Sequence, residues 1–313
     1  MKKIVLFLSI IVIISGCSKF NTVETDLNIS DGSVERFENF PSKFVSLRNV
    51  DVWLPKDYSN DEKYAVIYMH DGQMLFDGSK TWNNQEWGVD EIISDLIDNN
   101  KIKKCIVVGI WNSGEGRHSE YFPQKPFESL DIKYQDSLLL NARRYNTATL
   151  FAYGLQSDNY LQFIVNELKP IIDYTYSTLP DKENTIIMGS SMGGLISMYG
   201  ICEYPEVFGG AGCLSTHWVG TFDTTNNPIP GSFVDYISKN IPDPMSHRIY
   251  YDYGTHTLDG LYEPSQLRVD SVMEISGYTT SNWITKKFVG ANHSEKAWRN
   301  RLHIPITFLL SKN

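Results

Sequence analysis

Thr185-Ile186-Ile187-Met188-Gly189-Ser190-Ser191-Met192-Gly193-Gly194-Leu195-Ile196-Ser197-Met198-Tyr199 is the stretch that decides the fold of this chain. Its opening is a short β-rich apolar run, and from Leu195 it takes up a helical pattern. Between the two lies G-x-S-x-G, Gly189 to Gly193, so the sequence predicts a strand, a tight turn and a helix with Ser191 at the apex. In such a turn, side chains two before and two after the serine collide with neighbouring backbone, which is why both positions are glycine. The turn lifts the Ser191 hydroxyl over the strand's end, above a helix N-terminus whose dipole favours developing negative charge. Ser191 is therefore a candidate nucleophile. The competing reading is a glycine-rich turn without chemistry; Ser190 does not stand at the centre of the motif.

Outward from this segment, short apolar runs alternate with helical patterns from about residue 43 to the end. That order argues an α/β fold with a largely parallel sheet. Candidate strands are 43–47, 50–54, 64–69, 104–110, 185–188, 210–214, 248–253 and 283–289, the first two forming an antiparallel edge. Helical candidates are 88–98, a longer helix with Leu161, Ile164, Val165, Leu168, Ile171 and Ile172 on one face, then 192–203, 264–275 and a last one including Ile306–Leu310. Residues 112–156, rich in aromatics, fit the alternation worst. They read as an excursion over one end of the sheet, either a substrate wall at the strands' carboxyl ends or a surface insertion with its own small core.

A serine hydroxyl needs a base within hydrogen-bond reach, and in a strand–turn–helix serine fold the chain order is Ser, then Asp or Glu, then His. Of the seven histidines, His70 and His118 precede the nucleophile, His217 and His247 precede any acid loop, and His303 lies against the final helix. His293, in Gly290-Ala291-Asn292-His293-Ser294 after the last candidate strand, is the expected base. Asp259, on the loop beyond the strand that ends at Tyr253, is the expected acid, with Asp252 and Glu263 as alternatives and helix capping as the bland role. For the oxyanion, one donor is the backbone N–H of Met192 and the other that of Gln73, in the turn after Val66–Met69.

The chain has 313 residues, 28 of them Lys or Arg and 37 Asp or Glu, for a formal charge of −9. Without a basic cluster, nucleic acid and anionic lipid surfaces are poor partners. Lys2 and Lys3, then the apolar Ile4–Ile14, form a signal-peptide pattern too short to span a bilayer. Ile14-Ser15-Gly16-Cys17 resembles a bacterial lipobox, which implies removal of residues 1–16, lipid on Cys17 and residence on the outer membrane or in the periplasm; the alternative is an ordinary signal peptide. Residues 17–40 then read as a tether and 41–313 as one catalytic domain. Cys105, Cys202 and Cys213 are too few for a disulfide framework, although a Cys202–Cys213 bridge stays open, and no cysteine and histidine have zinc-ligand spacing.

His70-Asp71-Gly72-Gln73, the Gly189–Gly194 turn, its sequel Tyr204-Pro205-Glu206-Val207-Phe208-Gly209 and the His293 loop together resemble the Putative esterase family of α/β-hydrolases. That family contains esterase D, enterochelin (siderophore) esterases and family 1 carbohydrate esterases, among them feruloyl and acetylxylan esterases. The resemblance covers roughly residues 43–311. It implies an α/β-hydrolase fold and ester hydrolysis through an acyl-enzyme on Ser191 with His293, without metal or organic cofactor. Asp259 carries over less directly, since many relatives place the acid nearer the position of Thr257. Arg117, Tyr121 and Pro123 resemble a segment at the family's active-site mouth and are candidate substrate contacts; Trp87 and Trp218 are weaker ones. The expected substrate is an acylated carbohydrate carrying acetyl or feruloyl groups, the alternatives being a siderophore trilactone or a non-catalytic binding lipoprotein.

Overall fold

The computed structural model describes residues 21–144 and 148–312. The expected signal peptide and Cys17 lie outside the described residues. Nine strands form one sheet: β1 Val23–Glu24, β2 Ser33–Phe40, β3 Arg48–Leu54, β4 Ala65–His70, β5 Cys105–Ile110, β6 Thr185–Ser190, β7 Gly210–Leu214, β8 Arg248–Gly254 and β9 Trp283–Phe288. Their spatial order is β1-β2-β3-β5-β4-β6-β7-β8-β9. The first three pair antiparallel, β3 meets β5 antiparallel with Val50 opposite Ile110, and from β5 to β9 every pair is parallel.

The strands from β4 to β8 are buried on both faces, as parallel strands under helices must be. Alternation sorts them between two cores: Val66 and Tyr68 join one, Ala65, Ile67 and Met69 the other. Five helices matter for the layers: α1 Val89–Asp98, α2 Met192–Glu203, α3 Ile229–Asn240, α4 Glu263–Ile275 and α5 His303–Leu310. The larger core takes residues of α2, α3, α4 and the helical stretch 157–175, and the smaller one those of α1 and α5. The carboxyl ends of the parallel strands β4 to β9, where crossover connections leave a crevice, therefore open at one side.

Two expectations are corrected. Residues 43–47 are not a strand; the edge strand is 33–40, which had read as tether. Its pattern misleads because Val34, Phe37 and Phe40 are the buried positions, a spacing of three. The register shifts between Phe37 and Phe40, where Asn39 takes a φ of 49°, so the bulge hides the two-residue period. Residues 21–32 also lie against the domain, with the Asn28 N–H donating to Asp77 and the Ser30 N–H to Asp90. Cys202 and Cys213 are free and buried, so no bridge joins them.

The excursion 112–156 combines its two readings. Tyr121, Phe122, Phe127 and Phe151 pack into the larger core, while Asn112, Arg117 and His118 face a cleft. A buried ion pair fastens it to the sheet: the Arg48 guanidinium donates to both Glu120 oxygens at 2.6 and 3.0 Å.

Candidate active site

Ser191 stands between β6 and α2 with φ 58° and ψ −120°, a conformation rare for a side-chain-bearing residue. The turn is held by the Ser191 N–H donating to Leu214 O (2.9 Å) and the His217 N–H donating to Ser191 O (3.1 Å). A Cβ on Gly189 would lie 3.0 to 3.1 Å from three backbone atoms of Gly193, so the glycine is required by close approach. The turn after β4 has the same logic. Asp71 is left-handed, and a Cβ on Gly72 would meet the Gly109 backbone at 2.4 Å. These two turns set Met192 and Gln73 on the wall of a cleft of about 920 Å³ that Ser191 and His293 also line. Among the described residues, neither the Met192 N–H nor the Gln73 N–H has a protein acceptor.

His293 sits on the loop between β9 and the short helix Glu295–Arg299. Its loop is tied to the Asp259 loop: the Thr255 and His256 N–H groups donate to Ala291 O, and the His293 N–H donates to Thr257 Oγ1. The ring is packed edge-on against Trp298 (4.9 Å between centroids) and Tyr262 (5.9 Å). Its Nδ1 lies 2.5 Å from Asp259 Oδ1. Asp259 is fully buried and also accepts from Ser215 Oγ and the Gly254 N–H, each at 2.6 Å. Burial works to raise its pKa, but the hydrogen bonds from His293, Ser215 and Gly254 outweigh it and hold the carboxyl below its ordinary range.

The rival acids are engaged elsewhere. Asp252 bonds Arg301 at 2.9 and 3.1 Å and the Ser215 N–H at 3.1 Å, and Arg301 in turn donates to Ser215 Oγ. Asp252 thus supports Asp259 through Ser215 and does not reach His293. Glu263 pairs with Lys287.

Three expected substrate contacts are corrected. Tyr121 is 0% exposed and Trp218 1%. The Tyr121 hydroxyl accepts from the Asp71 N–H and its ring lies under Arg117, while the Trp218 indole donates to Gln266 inside the core. Pro123 is buried too, at the start of the short helix Gln124–Glu128. Arg117 does line the cleft, but its guanidinium is bidentate to Asp71, 2.7 Å at both contacts. Trp87 lines the cleft as well, stacked 5.4 Å from Trp298.

Sequence reasoning missed several residues here. Trp82, 80% exposed, stands at the cleft. His217, buried, and His118, half-buried, line it, each with an enclosed Nε2 lacking a partner among the described residues. Burial, then nearby positive charge, pulls both below the ordinary histidine value, His118 to about 3. Ser215 to Trp218 directly follow β7, at the strands' carboxyl end, and that placement was the available signal. Among the described residues no group of three His, Cys, Asp or Glu could hold a metal ion.

The fold is shared widely. The IroE-like serine hydrolase from Shewanella oneidensis superposes with a TM-score of 0.65 at 19% identity, over 89% of this chain and 79% of that one. The feruloyl esterase module from Clostridium thermocellum, complexed with sinapinate, gives 0.60 at 16% identity over 89% and 88%. In sequence, the uncharacterized protein YbbA of Bacillus subtilis is 28% identical over 173 residues, 55% of this chain and 58% of its own length. The model of the family described as "Putative esterase" matches residues 43–304. By that match, on this α/β-hydrolase scaffold, the chain belongs to the Putative esterase family and is a carboxylic ester hydrolase.

Proposed function

We propose that Ser191 is the nucleophile, His293 its general base and Asp259 the acid that orients the base, with the Met192 and Gln73 N–H groups receiving the oxyanion. The observation that carries this reading is the Asp259–His293 hydrogen bond on the cleft that Ser191 lines. Asp259, buried and ionised, keeps the Nδ1 proton in place and leaves Nε2 to act. His293 takes the Ser191 proton as Oγ bonds to the ester carbonyl carbon, and the two N–H donors stabilise the resulting oxyanion. On collapse the C–O bond to the alcohol breaks and the alcohol leaves with the proton from His293. Water then gives a proton to His293 and attacks the acyl-enzyme, and the acid departs as Ser191 regains its proton.

The substrate we infer is an acylated saccharide bearing acetyl or feruloyl groups. A cleft rimmed by an exposed Trp82 and an inner Trp87 suits sugar or aromatic rings. The feruloyl esterase module complexed with sinapinate is consistent with that class. A siderophore trilactone, an anionic catecholate, finds less support, because Arg117 is already paired with Asp71. We also infer that lipid on Cys17 anchors the enzyme outside the inner membrane, which labelling with a radioactive fatty acid and its loss in Cys17→Ala would test.

The deciding experiment offers acetylated xylan, methyl ferulate and a catechol trilactone to the purified protein, with Ser191→Ala as control. Release from a saccharide or ferulate ester that vanishes in Ser191→Ala is expected. Trilactone turnover alone would overturn the substrate, and turnover surviving in Ser191→Ala would overturn the nucleophile. Binding without any turnover by the folded wild type would favour a binding protein.

A further inference from the structure

Ser215 directly follows β7 with a φ of 42°, a left-handed conformation rarely kept by a buried serine. The peptide before it ties two parts of the site together. Its carbonyl, that of Leu214, accepts from the Ser191 N–H, and its N–H donates to the Asp252 carbonyl, both at 2.9 Å. The Ser215 hydroxyl has three partners: Trp298 Nε1 at 2.9 Å, Arg301 Nη2 at 2.8 Å and Asp259 Oδ2 at 2.6 Å. All four residues are buried. The directions of these bonds are not free. An indole N–H and a guanidinium can only donate, so they fill both lone pairs of Oγ. The one hydroxyl proton is then left to Asp259.

We propose that Ser215, oriented by Trp298 and Arg301, is a positioning residue that locks the Asp259 carboxylate with Oδ1 facing His293. The inference rests on Asp259 being the acid that orients the base. A carboxylate turns easily about its last side-chain bond, so its plane is set by what its oxygens meet. Oδ2 receives two donors, the Ser215 hydroxyl and the Gly254 N–H, each at 2.6 Å. Oδ1 is left to His293 Nδ1. A proton on Oδ2 would face both of those hydrogens, so the same arrangement keeps the acid ionised. Trp298 closes the circuit, since the indole that holds Ser215 also packs edge-on against the His293 ring. Arg301 is itself held by Asp252 at 2.9 and 3.1 Å, which gives that second buried carboxylate its task.

Ser215→Ala removes the donated proton and leaves the triad itself intact. With p-nitrophenyl acetate, kcat should fall about 10- to 100-fold, the weight of one hydrogen bond to a charged group, while KM stays put. Ser215→Cys, whose thiol is a weak donor, should fall between Ser215→Ala and the wild type. In Asp259→Ala there is no carboxylate to hold, so the double Ser215→Ala/Asp259→Ala should be no slower than Asp259→Ala alone. Wild-type kcat in Ser215→Ala, a loss confined to KM, or losses that multiply in the double variant would each overturn the proposal. Should Ser215→Ala fail to fold by thermal melting, Ser215→Cys makes the same comparison, because its sulfur can still accept from Trp298 and Arg301. A severalfold loss of kcat that disappears on the Asp259→Ala background is then expected, and wild-type kcat or a loss that persists there would overturn the proposal. A slow Asp259→Ala beside an unimpaired Ser215→Ala would sink this inference alone, whereas wild-type kcat in Asp259→Ala would remove the acid itself.

Discussion

Asp259 is where a single atom type decides the outcome. Replacing it by Asn keeps the volume but swaps one acceptor oxygen for a donor beside His293, so the imidazole is left in the wrong tautomer. Asp259→Asn should lower kcat by about 10³- to 10⁴-fold with little change in KM, a loss steady-state kinetics on any turned-over ester would read; a loss under tenfold would remove Asp259 from the mechanism. Trp82 makes the opposite case. Exposed at the rim, it adds stacking area without touching the reacting atoms, so Trp82→Ala should raise KM for a polymeric or aromatic ester severalfold and leave kcat for p-nitrophenyl acetate unchanged. The placement of Ser191, His293 and Asp259 around one cleft was legible because each lies in a short local pattern whose place in the chain order is informative. Tyr121 and Trp218 were misread because an aromatic in a loop carries no local sign of burial; only the packing of the excursion against the end of β4 and of the loop after β7 against α4 encloses them. Tyr262 and His217 could not be found as partners, since they are 45 residues apart and meet only where two loops pack.

At the scale of elements, the sheet was legible wherever apolar runs are unbroken, from β4 through β8, because strands covered on both faces need nothing but apolar side chains. The edge was not. β2 is half-exposed and bulged, so its buried residues recur at three and resemble neither strand nor helix. The helix α3 was also unread, although Phe233, Val234 and Ile237 give it an inner face, because the polar loop 221–227 precedes it and Pro228 and Pro230 stand at its start. Of the polar contacts that fasten the excursion 112–156, the ion pair of Arg48 with Glu120 is buried on both sides. Removing one partner strands the other charge in the core. Arg48→Met or Glu120→Leu alone should cost about 3–5 kcal/mol in urea unfolding, and the double change should recover most of it. Additive losses would show that the two residues act separately.

For the whole molecule, the feature of consequence is that three imidazoles stand shielded around one end of the sheet: His70 at the end of β4 and His217 after β7, both buried, and His118 in the excursion, half-buried with its Nε2 enclosed. Burial, opposed at His70 only by the charge of Asp71, pulls His70 and His118 down to about 3, and His217 is depressed as well. In the unfolded chain each would titrate near its ordinary value of about 6.5. Between those limits the unfolded state binds protons that the folded state refuses, so stability is lost as pH falls below about 6.5. Each histidine contributes a slope of about 1.4 kcal/mol per pH unit, and the three together at most about 4. The paired carboxylates Asp71 and Asp259, whose pKa values are lowered, add to the loss only below their ordinary range near 3.8. The urea midpoint should therefore drop between pH 6.5 and 5, although the buried Asp90 carboxyl, raised to about 7 by desolvation, takes up a proton in the folded state over the same range and offsets about one histidine's slope. His70→Gln, which replaces a titrating ring with a neutral polar group that can still meet Tyr160, should flatten that slope by about 1.4 kcal/mol per pH unit, one histidine's share. Equal midpoints at pH 7 and pH 5, or an unchanged slope in His70→Gln, would mean that these imidazoles take up protons in the folded protein. Because all three stand at the strands' carboxyl ends, the acid-induced loosening should begin at the cleft, with activity failing at a higher pH than the helical signal of the far side.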